Sequence, residues 1–253
     1  MDGYKKIYTF GDGFASNHIW PEWPAILEAL LPNYDFQHFG AVGAGNEFIL
    51  NAAVQANISD SAAYFVVQWA YLTRFDKLIE DSSWDNIIDN DPVYSFNRVP
   101  LGQQLWWLSS ASKQVDVVRY HQQYVQPQQS QTRILNAVYL LGKLLSNRAL
   151  FFPVGVDLKK LKQSNPEYFA GINLVEQDLY HYSYQKRFAE IRQYQVQPSP
   201  MVHLCYLKEH VLPVLPFEVD PQRLQELEQR INQHNWQPYD PDRDEIWHKI
   251  TDF

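Results

Sequence analysis

A strand-like run, Lys5-Lys6-Ile7-Tyr8-Thr9-Phe10, ends in Gly11-Asp12-Gly13-Phe14-Ala15. An apolar strand that breaks into a Gly-Asp turn ahead of a helix is one way hydrolases lift a nucleophile to the top of a parallel sheet. The chemistry would then fall to the residue after Asp12, but that residue is Gly13, which has no side chain. Ser16, three residues on, carries the nearest hydroxyl, although Ser16-Asn17 also reads as a capping pair for the helix that follows. Asp178-Leu179-Tyr180-His181 is a literal Asp-x-x-His, the spacing by which a carboxylate can orient an imidazole as a base. Near the end, Gln195-Val196-Gln197-Pro198 and then His203 precede and open another helical stretch.

These residues need a frame. Strand candidates at 5–11, 35–40, 63–69 and 149–155 alternate with helical patterns. That alternation is the signature of a doubly wound α/β sheet. One helix is expected from Trp23 to Leu31, stopped by Pro32, and another from Asn46. A third should run from Gln131 to Asn147, with Ile134, Val138, Leu141 and Leu145 at helical spacing, and a closing helix from Pro200 to Val214. The segment 77–130 reads as an insertion rich in Trp, Tyr and Pro. After Pro216, Asp220-Pro221 starts an amphipathic helix bearing Leu224, Leu227 and Ile231, followed by a tail with Trp236, Trp247 and Phe253. The expected division is a domain over 1–216 and an arm over 217–253 that packs on it or on a partner.

The turn resembles the first block of the SGNH (GDSL-type) hydrolases, with glycine where the family has its serine. Phe39-Gly40-Ala41-Val42-Gly43-Ala44-Gly45-Asn46 resembles the second block, and Val66-Val67-Gln68-Trp69-Ala70-Tyr71-Leu72-Thr73-Arg74-Phe75-Asp76 the third, as found in a compact phage and bacterial subgroup. Gln195 to Leu204 resembles the last block. The resemblance implies a three-layer α/β/α fold around a mostly parallel, flavodoxin-like sheet. It places nucleophile, acid and base at Gly13, Gln195 and Gln197, and an oxyanion-like pocket at Gly43, Asn46 and Ala70. Glycine has no hydroxyl, and a glutamine amide takes up no proton near neutral pH. The expectation is therefore an inactive relative that serves as a structural or interaction component, in its most concrete form within a tailed phage particle. The alternatives are a pseudoenzyme that binds a glycan or acyl ester, and a working esterase that uses Ser16 or another serine with His181.

Composition narrows the partners. The chain has 253 residues and a formal net charge of −8, which argues against a nucleic-acid or anionic-membrane surface. The expected partners are protein subunits or a glycan. No apolar run is long enough to span a bilayer. No signal peptide is legible at the N-terminus, so a cytoplasmic protein is expected. The single cysteine, Cys205, forms no internal disulfide. The eight histidines show no zinc-binding spacing, so neither metal nor cofactor is expected.

Overall fold

The structure is a computed structural model. It describes residues 3–17, 20–41, 44–72, 74, 76–80, 94–95, 105–109, 127–191, 198–236 and 242–252. Four strands form a parallel sheet: β1 (Lys6–Gly11), β2 (Asp35–Gly40), β3 (Tyr64–Trp69) and β7 (Ala149–Pro153), in the spatial order β2-β1-β3-β7. Residues Ile7 to Phe10 of β1 pair with Tyr64 to Val67 of β3, so the ends of both strands reach the same edge of the sheet.

Period-two alternation sends successive side chains to opposite faces. Tyr8 and Phe10, Phe65, Val67 and Trp69, and Phe151 face one layer. Its helices are α2 (Asn46–Ser59) and α3 (Pro127–Leu145), which contribute Phe48, Ile49, Ala53, Ile134, Val138, Leu141 and Leu145. Ile7, Val66, Leu150 and Phe152 face the other layer. There α1 (Trp23–Leu30) and α6 (Pro200–Tyr206) supply Trp23, Ile26, Leu27, Val202 and Tyr206. The fold is thus a three-layer α/β/α sandwich around a parallel sheet. Each fully buried Phe or Leu in it contributes roughly 1.5–3 kcal/mol.

Between α3 and α6 the chain adds α4 (Leu158–Ser164) and α5 (Leu179–Ile191). Phe151 donates its N–H to the Asn173 carbonyl, and its own carbonyl accepts from Val175 N–H, so the outer side of β7 is bridged. The expected insertion contains three strands that the sequence did not disclose: β4 (Asp76–Glu80), β5 (Tyr94–Ser95) and β6 (Leu105–Ser109). They form a separate antiparallel sheet in the order β4-β6-β5.

The closing helix is not uniform. After Tyr206 it widens into a π-helical turn, Leu207–Val211, and ends in a 3₁₀ turn, Leu212–Val214. The C-terminal segment folds as α7 (Pro221–Gln233), capped by the Asp220 side chain, and α8 (Arg243–Thr251). Leu227 and Ile231 are fully buried in the same cluster as Trp23 and Val202, so the apolar stripe of the arm faces its own domain. Arg230 Nη1 donates to the carbonyls of Ile250 and Asp252 and fastens the end of α8.

Candidate functional site

The β1 strand ends where the sequence places its turn. Asp12 caps a short 3₁₀ turn, Gly13–Ala15, and its Oδ1 accepts the Phe14 N–H at 2.9 Å. The turn is not followed directly by a helix: α1 begins only at Trp23. Close packing fixes the crossing with the neighbouring strand. A Cβ on Gly40 would lie 1.8 Å from the Ala15 carbonyl oxygen, so only glycine fits there.

Beneath the turn lies a chain of polar groups that the apolar run Val66-Val67-Gln68-Trp69 half conceals. Gln68 Nε2 donates to Asp12 Oδ1 at 2.6 Å, and Gln68 Oε1 accepts from Trp23 Nε1 at 2.7 Å. Asp12, Gln68 and Trp23 are all fully buried. Arg74 Nη1 lies 3.0 Å from Asp12 Oδ2, yet both atoms are shielded and off the axis a hydrogen bond needs, so the contact is Coulombic. The guanidinium also lies over the Tyr71 ring, 5.3 Å from its centroid. Burial pushes the Tyr71 hydroxyl well above the usual tyrosine range, and the Asp12 charge adds to the rise. Under Tyr71 sits Gly155, at φ +67°, where a Cβ would come within 2.0 Å of the ring.

The expected site residues fare differently. Gly13 is buried within the turn, and Ser16 Oγ donates to its carbonyl at 3.1 Å. The anticipated Ser16-Asn17 cap is carried by Asn17 alone: its Oδ1 accepts Glu22 N–H at 2.9 Å, and its own N–H donates to Glu22 Oε2 at 2.8 Å. Asn46 and Ala70 are brought together, but with each other. Asn46 Oδ1 accepts the Ala70 N–H at 2.8 Å, and Asn46 Nδ2 donates to the Ala70 carbonyl at 3.1 Å. The Ala70 N–H is thereby engaged and is no oxyanion donor. Gly43, Gln195 and Gln197 lie outside the described residues. Their neighbour Pro198 offers its carbonyl to Trp20 Nε1 at 2.8 Å. His203 on α6 packs edge-on against Phe14, with ring centroids 6.4 Å apart. The start of the closing helix therefore does lie against the first turn. His203 is fully buried with neither ring nitrogen bonded, and burial alone pushes its pKa down to about 3. A group held neutral in this way is no base at neutral pH.

The Asp-x-x-His segment opens α5. Asp178 is buried; its Oδ1 takes the His181 N–H at 2.7 Å, and its Oδ2 takes the Val156 N–H at 3.1 Å. Burial raises the Asp178 pKa, and the hydrogen bonds it accepts oppose that rise. His181 Nδ1 lies 3.1 Å from Asp178 Oδ1, while its side chain is 62% exposed. With Nδ1–H as donor, Nε2 is the basic nitrogen. Tyr71 links this pair to the first turn: its ring touches Tyr180 at 5.6 Å, and Tyr180 touches His181 at 6.0 Å. Among the described residues no cluster of His, Cys, Asp and Glu is fit to hold a metal ion.

No protein-family model matches the chain, and no curated protein matches it. Among solved structures it is similar to a lipolytic protein of the G-D-S-L family from Veillonella parvula, at 12% identity and TM-score 0.42, over 83% of this chain and 99% of that one. It is also similar to AlinE4, an SGNH-hydrolase family esterase, at 13% identity and TM-score 0.42, over 82% of this chain and 93% of the other. A GDSL-like lipase from Bacteroides thetaiotaomicron follows at 10% identity and TM-score 0.35, with 71% and 70% covered. Likeness at this level concerns the fold and assigns no residue a role. The expectation of an inactive structural component of a phage particle is corrected here. The similar structures are a lipolytic-family protein, an esterase and a lipase, with no particle subunit among them. The chain itself holds a formed carboxylate–imidazole pair, Asp178 and His181, apart from Gly13, Gln195 and Gln197 to which the resemblance points.

Proposed function

We propose that the chain hydrolyses small carboxylic esters, with His181 as general base, Asp178 as the group that orients it, and Ser16 as nucleophile. One observation carries this reading: a buried carboxylate holds His181 Nδ1 at 3.1 Å while the His181 side chain is 62% exposed. In the proposed reaction Ser16 Oγ attacks the acyl carbon while its proton passes to Nε2. The same imidazole returns the proton to the departing alcohol, and water then repeats the attack to release the acid. Ser16 must first turn away from the Gly13 carbonyl that it now binds.

A panel of para-nitrophenyl esters tests the reading. His181→Ala and Ser16→Ala should each lower turnover by about 10²–10⁴-fold, the usual worth of general acid–base help. Turnover no greater than that of a heat-treated sample, or untouched by both substitutions, overturns it. A second reading, an acyl ester or glycan held without cleavage, is supported by Gly13, which is buried and offers no hydroxyl. Saturable ligand binding without turnover on the same panel would select it.

A further inference from the structure

Arg74 is only 21% exposed, and it stands beside a carboxylate that it does not properly hydrogen-bond. Asp12 Oδ1 is already satisfied by the Phe14 N–H and the Gln68 amide, which fix that carboxylate in place. Arg74 has five N–H donors in a planar fork, and its buried Nη1 has no aligned acceptor among the described residues. A buried donor without an acceptor costs about 1–3 kcal/mol and calls for an explanation. The arrangement does not relax the fork toward solvent either, because the Tyr71 ring lies against its face at 5.3 Å. Tyr71 is itself fixed by the close approach of Gly155 and the edge of Tyr180. A flat, charged fork beside Asp12, the residue that follows the carboxyl end of β1, lies where open α/β sheets take their ligands.

We infer that Arg74 is the receptor of an anion-binding site whose ligand is a monoanionic carboxylate, either the acid product of the proposed hydrolysis or an acidic group on the substrate. The link to an ester's acid rests on the proposed function; the binding itself does not. Carboxylate is favoured over phosphate on two grounds. A planar carboxylate meets a guanidinium edge with two parallel hydrogen bonds. The Asp12 carboxylate, 3.0 Å from Nη1, repels a dianion more strongly than a monoanion.

The test is an NMR titration of the arginine side-chain N–H resonances of the intact chain with sodium acetate, with sodium chloride at matched ionic strength and inorganic phosphate as separate arms. Arg74→Lys assigns the resonance by its absence. A saturable shift of the Arg74 signal by acetate is expected, with none from chloride and at least about tenfold weaker binding of phosphate, a gap of roughly 1.4 kcal/mol. Acetate binding followed through neighbouring backbone amides should also weaken about tenfold or more in Arg74→Lys, because an ammonium offers no fork. Arg74→Met should abolish it, and if that variant does not fold, the lysine variant decides. The inference is overturned if acetate produces no saturable shift up to about 100 mM, well past a millimolar Kd. It is equally overturned if phosphate binds as tightly, or if Arg74→Lys binds acetate undiminished. A chain that binds acetate at Arg74 without cleaving esters keeps this inference and loses the proposed function. One that cleaves esters without binding acetate there does the reverse.

Discussion

Two polar assemblies flank Tyr71, and they are built on opposite terms. Under the first turn, Asp12, Gln68 and Trp23 are fully buried and joined by hydrogen bonds of 2.6–2.7 Å. At the start of α5, Asp178 is buried but its partner His181 is 62% exposed. The first assembly can only hold its shape. The second has one end fixed and the other free, as a proton-transferring group requires. The first turn thus rests on a closed polar scaffold, while the half-open pair on which the proposed chemistry depends stands at the start of α5.

Substitutions should separate the two assemblies by what they disturb. Gln68→Leu leaves the Trp23 N–H without its acceptor and strips a donor from the buried Asp12, so a loss of about 3–5 kcal/mol is expected. Denaturant unfolding reads this directly, and a loss below 1 kcal/mol would mean that the network is dispensable.

His203 gives the next largest effect, as a function of pH. Burial holds its folded pKa near 3, against 6.5 for a free histidine. The unfolded chain therefore binds the extra proton between these values. The contribution of His203 is whole above about pH 6.5 and should fall by about 1.4 kcal/mol per pH unit as pH drops toward 3. His203→Leu should flatten that limb of the stability–pH curve, and an unchanged slope would assign the acid sensitivity elsewhere.

Smaller still is Asp178→Asn, which keeps a weaker cap on α5 but loses the charge facing His181. A stability loss of about 1–2 kcal/mol is expected, alongside a fall in ester turnover as large as that of the histidine variant. Stability without that fall in turnover would make Asp178 a helix cap and nothing more. His181→Ala should change stability by no more than about 0.5 kcal/mol, since most of its ring is in solvent. A larger loss would place it with the structural assembly and erase the contrast.

Much of the frame was legible. The four strands of the parallel sheet fall at the expected runs, because each is a short apolar segment between turn signals. The helix at Pro127–Leu145 follows its spacing of Ile134, Val138, Leu141 and Leu145. What escaped depended on distant partners. Gln68 is 45 residues from Trp23 and 56 from Asp12, and nothing in its local sequence names either. Its one clue was a polar residue inside an apolar strand, which must find a partner when buried. The strands at 76–80, 94–95 and 105–109 hid among aromatic and proline residues that read equally well as a loop. Asp178-Leu179-Tyr180-His181 was legible as an Asp-x-x-His, but the resemblance places acid and base at Gln195 and Gln197 instead.

The two margins of the parallel sheet have different prospects when the protein is crowded or heated. On the β7 side, the hydrogen bonds of Phe151 with Asn173 and Val175 already occupy part of the row that an incoming strand would need. On the β2 side, no further strand is paired among the described residues. Exposed Asp35 and Gln37 stand there, together with His38, which is tethered to Glu28 at 3.0 Å. Polar and charged side chains at such a margin discourage edge-to-edge growth. Self-association by strand addition therefore has one direction open to it, and replacing Asp35 and Gln37 with valine would remove the guard from that direction.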